Sequence, residues 1–296
     1  MALGESSHVE GLHSIAGGNY SHAEGKGTDA AGQASHTEGA YTTASGDFSH
    51  AEGHKTEASG KYAHAEGINT VASATHSHAE GNGTKASGNG SHAEGGGETE
   101  AYGEYAHAEG FNSKATNKAS HAEGQNTNAN GTCSHAEGQD TTAAGATAHA
   151  EGFNTNANKA NSHAEGKYTT ANGNNSHSEG NYTFADGDNS HAEGFNTQAS
   201  GQNSHTEGSN TQASGDNSHA EGDGYSWHWL DIKGDANTTT YTITGGQYSV
   251  LQVGDKLYSN KDSSGIAITI TDINSNTVTF ERTLSASSSV NNRLYF

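Results

Sequence analysis

The chain has 296 residues, 41 of them glycine and none proline, and only 29% of it is hydrophobic, much of that alanine. Its formal net charge of −21 argues against nucleic acid as a partner, because phosphate binding needs clustered lysine and arginine. No apolar run approaches the ~18 residues of a membrane span, and the single Cys133 excludes an intrachain disulfide framework or a paired-thiol metal site.

Met1-Ala2-Leu3-Gly4-Glu5 lacks a signal-peptide pattern, which points to a piece of a longer chain or to export by a route other than a secretory leader. Between residues 7 and 222 one motif then returns sixteen times, as in Ser21-His22-Ala23-Glu24-Gly25. Its histidines run from His8 to His219 at fourteen-residue steps, with one fifteen-residue step between His92 and His107. A disordered tract has no reason to hold that register. The period predicts one small unit stacked sixteen times.

Numbered from its serine, the unit reads S-H-A-E-G-x-x-T-x-A-x-G-x-x. Positions 1–4 and 8–11 predict two short strands, each followed by a turn led by glycine, which tolerates positive φ. Glycine fills position 5 in all sixteen copies and position 12 in twelve of fifteen, the exceptions being Ala74, Asn117 and Lys159. Side chains alternate across a strand, so the small residues at positions 1, 3, 8 and 10 are expected to line the inside of a flat roll. Positions 9 and 11 vary freely, as in Asp29 and Ala31 or Lys114 and Thr116, and read as a solvated face. Coils pairing as parallel strands ~4.8 Å apart would make a rod roughly 75 Å long.

The outward positions 2 and 4 are His and Glu in every copy. A roll this thin buries little apolar surface, and packing of several rolls through the His/Glu face would explain the invariance. The expected seam includes His22 with Glu24, His36 with Glu38, His50 with Glu52, His121 with Glu123, His135 with Glu137, His163 with Glu165, and His191 with Glu193.

The unit resembles the head repeat of trimeric autotransporter adhesins, the YadA-type left-handed parallel β-roll with the motif S-V-A-I-G-x-x-S-x-A-x-G-x-x. The match covers residues 7 to 222 in period and in Ser, Ala and Gly placement. The resemblance implies a homotrimer with positions 2 and 4 turned to the threefold axis. It departs where the family's apolar Val and Ile become His and Glu, making an apolar seam polar. The SHAEG repeats are also similar to those of phage tail-fibre proteins, although no segment matching their self-cleaving chaperone is visible.

Three roles compete for the His/Glu pairs. In the structural one each imidazole bonds a carboxylate of a neighbouring chain. That raises the histidine pKa, lowers the glutamate pKa and places maximal stability in mild acid. The second is a metal or anion on the axis, held by symmetry-related copies of residues such as His22, His36 and His50; no cofactor is otherwise called for. Catalysis is the third, but an active site needs a unique constellation, so no catalytic residue is assigned.

A longer period overlies the first. Coils five, eight and eleven share Ala at position 1 (Ala63, Ala106, Ala148), no Gly at position 12, and an apolar position 6 (Ile68, Phe111, Phe153). Phe195 continues that apolar series in coil fourteen, with spacings of 43, 42 and 42 residues. These four residues form either a stripe of ligand contacts ~14 Å apart or packing over neighbouring turns.

Residues 223–296 change character. Trp227 and Trp229 sit at the junction, and runs such as Thr240-Tyr241-Thr242-Ile243, 266–270 and 277–280 predict an antiparallel β-domain of five or six strands. It is a cap or a receptor-binding tip, with the tryptophans as candidate contacts. The whole therefore reads as an all-β, homotrimeric, non-enzymatic fibre for adhesion or host recognition, a β-roll over 1–222 and a small domain over 223–296. Its expected place is extracellular, on a bacterial surface or a phage tail, with a glycan or protein receptor. The alternatives are a polysaccharide-degrading tailspike, which needs a non-repeating carboxylate pair, and an ice-binding solenoid, which needs outward threonine rows.

Overall fold

The computed structural model describes residues 1–223, 229–234, 240–246, 256–259, 268–274, 277–281 and 290–295. All regular elements among them are β-strands, and no helix is long and apolar enough to cross a membrane. The chain divides into units Met1–Gly224 and Tyr225–Phe296, against the expected boundary after residue 222.

The first unit is a parallel β-solenoid. Sixteen five- or two-residue strands that each begin at a motif histidine form one sheet, and fifteen two-residue strands form the other. Each residue pairs with its own counterpart one coil on, as in His121↔His135, Ala122↔Ala136, Glu123↔Glu137 and Gly124↔Gly138. The inward parity is as expected: the alanines of positions 3 and 10, such as Ala122 and Ala129, are fully buried. So are Ser134 and Thr127 at positions 1 and 8. Nothing larger than threonine is fully buried in the roll, so each coil gains only methyl-sized contributions, about 0.8 kcal/mol apiece, and the backbone ladder carries much of the cohesion.

The strand limits differ from the expectation. The first strand occupies positions 2–6, as in His121–Gln125, and the second only positions 9–10, as in Asn128–Ala129. Glycine at position 5 lies inside the strand, not at the head of a turn. Gly124 has φ +116°, and a Cβ there would stand 2.0 Å from the carbonyl oxygen of Gly138. Stacking of identical backbones thus forbids any side chain at that position.

Glycine at position 12 does not adopt positive φ; there a Cβ built on Gly60 would stand 1.9 Å from the carbonyl oxygen of Ala74, so coils such as those with Ala74, Asn117 and Lys159 must shift locally to carry a side chain. At Gly60 the amide reaches the Ala72 carbonyl. At Ala74 and Lys159 it is bonded to the hydroxyl of Ser77 or Ser162 instead.

The left-handed turn residues are at positions 7 and 14. Asn126 (φ 55°), Tyr168 (φ 55°), Asn161 (φ 56°) and Phe48 (φ 58°) are examples. Asparagine adopts this region at low cost, and from Asn161 to Asn217 the position-14 asparagines form a ladder. Each Nδ2 donates to the Oδ1 of the next coil, at 3.0 Å for Asn161–Asn175 and 3.1 Å for Asn175–Asn189. The fifteenth residue of the long coil is absorbed at Glu98, whose amide bonds Asn112 Oδ1, while Gly96 stays in register with Phe111.

In the second unit six antiparallel strands close a barrel in the order Trp229–Gly234, Thr240–Gly246, Thr277–Phe280, Ile268–Asn274, Lys256–Ser259, Val290–Tyr295. Val290–Tyr295 pairs back to Trp229–Gly234. Ile270, Val278 and Phe280 are buried in it. The expected strand at 277–280 coincides with an observed one, and that at 266–270 overlaps the observed Ile268–Asn274.

Two substitutions test this packing. Gly124→Ala is expected to destabilise the roll by about 2 kcal/mol or more, read as a lowered melting temperature by circular dichroism. Thr141→Val should have the opposite sign: the Thr141 hydroxyl is buried without a partner, and an isosteric methyl removes that desolvation cost. A fall in melting temperature in this variant would show the hydroxyl to be bonded.

Candidate functional site

The site is the outward row of the first sheet. In-register pairing sets His over His and Glu over Glu along its length. From His22 to His219 the imidazoles of successive coils stack at centroid distances of 4.7–4.9 Å, with ring planes within 13° of parallel. His8, at the end of the row, is tilted by 56°.

Imidazoles approach the glutamates of their own coils. The Nε2–Oε2 separation runs from 3.4 Å between His177 and Glu179 to 4.0 Å between His92 and Glu94. Glu52 stands 3.8 Å from His50, and Glu193 stands 3.7 Å from His191. These separations allow charge attraction and are too long or too poorly aligned for hydrogen bonding; only the terminal pair of His8 and Glu10, at 2.8 Å, is bonded.

The expected ladder joins neighbouring chains; within one chain the row forms no such bonds beyond that of His8 and Glu10. Glu24, Glu38, Glu52, Glu123, Glu137, Glu165 and Glu193 accept no hydrogen bond from a row imidazole, because fourteen Nε2 atoms, from His22 to His205, are shielded from solvent and have no hydrogen-bond partner. The physical reason is the strand spacing, which holds each ring against the next ring and out of line with its carboxylate. The interior histidine side chains retain 35–38% of their exposure, so the row is half covered. Its carboxylates are covered unevenly: Glu52 and Glu193 keep 33% and 32% of their side-chain exposure, against 51% at Glu165.

Within one chain the environment acts on the imidazoles in the opposite sense to the rise expected from partners on a neighbouring chain. Burial pushes the imidazoles of His50, His121, His135, His163 and His177 below their ordinary value, neighbouring imidazoles push the same way, and the glutamates pull up without compensating. Stacked rings cannot all be protonated, since each would face a like charge on both sides. Carboxylates one coil apart repel by about 1 kcal/mol even in water.

The row brings together sets of three ligand atoms. His36, Glu38 and His50 have donor atoms within 4.8 Å of one another, as do the set of His121, Glu123 and His135 and that of His163, Glu165 and His177. These sets lie along one chain, between successive coils, and not across an axis.

The other candidate residues are placed variously. Ile68, Phe111 and Phe195 are exposed at position 6. Phe153 is half-buried, edge-on to Tyr168 at 5.4 Å with the Lys167 ammonium above both rings, so it packs over a neighbouring turn. Trp227 lies outside the described residues, as does the side chain of Trp229, whose backbone opens a barrel strand. The position-8 threonines, Thr127, Thr141 and Thr155 among them, are buried and make no outward row.

Sequence reasoning missed two features. Phe48, Tyr62 and His76 stack at position 14, with centroids 5.2 and 4.9 Å apart and Lys61 over the first two rings; their fourteen-residue spacing was the available signal. The other is the buried Glu100, held between Lys85 at 3.0 Å and Lys114 at 3.5 Å. Burial opposes its charge, but hydrogen bonds from Tyr102 and Lys85 prevail and keep its pKa low. Tyr102, desolvated and bonded to that carboxylate, is pushed up to about 12. Lys85, Glu100 and Lys114 occupy position 9 of three successive coils, which is how the sequence encodes the cluster. Compared with known proteins, the chain matches no family model and no curated relative.

The lowered imidazole pKa fixes the sign of the pH dependence. An unfolded histidine takes up a proton near pH 6.5 that folded His50, His121, His135, His163 and His177 bind less readily, so this contribution is full above that value and declines as pH falls below it. Melting temperature is expected to be flat between pH 9 and 7 and to drop between pH 6.5 and 5. A maximum near pH 6 would restore the protonated ladder.

Proposed function

We propose that the chain is a non-enzymatic fibre protein, a left-handed β-roll that assembles as a homotrimer through its His/Glu row and presents its remaining surface for adhesion or host-receptor recognition. The reading places it outside the cell, as the head of a bacterial surface adhesin or in a phage tail fibre. The observation that carries it is the row itself. It is the one outward surface identical in all sixteen coils, it is flat because its rings are stacked, and it is half covered within one chain. A surface that must meet the same neighbour at every coil is free of variation; one that meets solvent or a unique ligand is not.

The composition of the roll supports the same reading. Its interior holds alanine, serine and threonine, so a single roll has no large apolar core to stand on. Recognition falls to the variable residues of the turns, where Phe111, Phe195, Tyr105 and Tyr182 are exposed, and to the barrel unit.

The full chain is expected to sediment at three times its 30.3 kDa mass and to bind cells or arrayed glycans saturably without shortening a polysaccharide. A monomer at micromolar concentration sinks the trimer. Release of oligosaccharides would make it a tailspike enzyme.

A further inference from the structure

We propose that the His/Glu row is a linear array of transition-metal sites, each built within one chain from the histidine and glutamate of one coil and the histidine of the next, and each suited to Zn²⁺. The inference does not depend on the trimer, because all three ligands belong to one chain.

Three observations carry it. First, the ligand atoms already converge: His121, Glu123 and His135 offer donors within 4.8 Å of one another, and the same set recurs at His36, Glu38 and His50. Zinc binds imidazole nitrogen and carboxylate oxygen at ~2.0–2.2 Å, so the two stacked rings must swing out of parallel and the glutamate change rotamer to close the site. Second, the Nε2 atoms of His121, His135 and His163 are shielded and unpartnered. A buried polar atom without a partner calls for an unseen ligand, and a neutral imidazole presents there the lone pair that a metal takes. Third, the glutamates stack in register, Glu123 on Glu137, so that carboxylates face one another at strand spacing. A divalent cation supplies the missing positive charge without charging the rings.

The donor set decides the class of ion. Two imidazoles and a carboxylate suit Zn²⁺, Ni²⁺ or Co²⁺ over Mg²⁺ or Ca²⁺, which prefer all-oxygen shells. The −21 net charge draws cations to the surface. Since each site consumes two of the sixteen row histidines, a chain holds at most eight ions, on alternate coil steps. Repulsion between neighbouring ions sets the filling below that.

The test uses the full chain with Cys133→Ser, which removes its only thiol, stripped with chelator and titrated with Zn²⁺ by calorimetry at pH 7.5. Between two and eight ions per chain are expected, with a melting temperature that rises with Zn²⁺ concentration. Co²⁺ in place of Zn²⁺ should give visible absorption bands of a nitrogen–oxygen site. Replacing His121, His135 and His149 together by Gln is expected to lower the stoichiometry by one or two ions, with circular dichroism confirming the fold. Should that variant unfold, Glu123→Gln with Glu137→Gln keeps every imidazole and should weaken the affected sites at least tenfold. No uptake below millimolar Zn²⁺, or uptake unchanged in the substituted chains, overturns the proposal. Sedimentation in chelator and in Zn²⁺ separates it from the assembly reading: a monomer that binds zinc refutes only the trimer, and a trimer that does not refutes only the metal.

Discussion

Every residue of the roll lies over its own counterpart one coil away, and this in-register stacking governs the rest of the structure. A fourteen-residue period in a parallel ladder allows no other neighbour, so each position must be compatible with a copy of itself at strand spacing. Alanine, serine and threonine pass because they are small. At position 5 any Cβ fails, because the same atom that would be added at Gly124 meets the carbonyl of Gly138. Asparagine succeeds unusually well, since its amide is both donor and acceptor and bonds its own image, as Asn175 does with Asn189. Flat rings also succeed, as in Tyr168 on Tyr182 at 4.7 Å. Ionised groups fail unless something intervenes, which is why Glu100 has lysine on both sides.

The same rule separates what was legible in the sequence from what was not. Period, strand number, inward parity and the small core follow from residue identity at fixed positions: alanine at position 10 in every full coil has no explanation other than enclosure. The two-unit division was legible as a change of composition after Gly222, and the barrel strands as alternating runs. Turn geometry was not. Glycine suggested positive φ at positions 5 and 12; it is present at 5 and absent at 12, and it also falls at 7 and 14, where Tyr62 and Phe48 stand beside asparagines. An aromatic residue in that conformation is strained, and propensity alone never places it there.

The candidate site was legible in its membership and illegible in its chemistry. His and Glu at alternate outward positions were identified correctly as one face. The stacking was not: carboxylates of a neighbouring chain were the expected partners, whereas the backbone of one chain places histidine against histidine. The strand repeat of ~4.8 Å is close to a ring-stacking distance, whereas the Nε2–Oε2 approach within a coil is no closer than 3.4 Å at His177 and Glu179 and reaches 4.0 Å at His149 and Glu151. Ring stacking therefore fixes the imidazoles, and the carboxylates adjust around them. Within one chain that order of precedence disfavours protonation of rings such as His50 and His121.

Closing three such rows about an axis would sharpen the electrostatic problem. Within one chain the glutamates already stack without protonated partners; three columns facing one another add like charges in the plane of each coil while removing the water that screens them. An apolar seam needs no such remedy. A polar one is tolerable only if protons or cations enter with it, and the depressed histidine pKa makes protons the costlier choice at neutral pH. Assembly and cation uptake are then linked: whatever neutralises the glutamates also favours bringing the rows together. A roll with this seam would respond to its ionic surroundings in a way that an apolar seam of the same geometry could not.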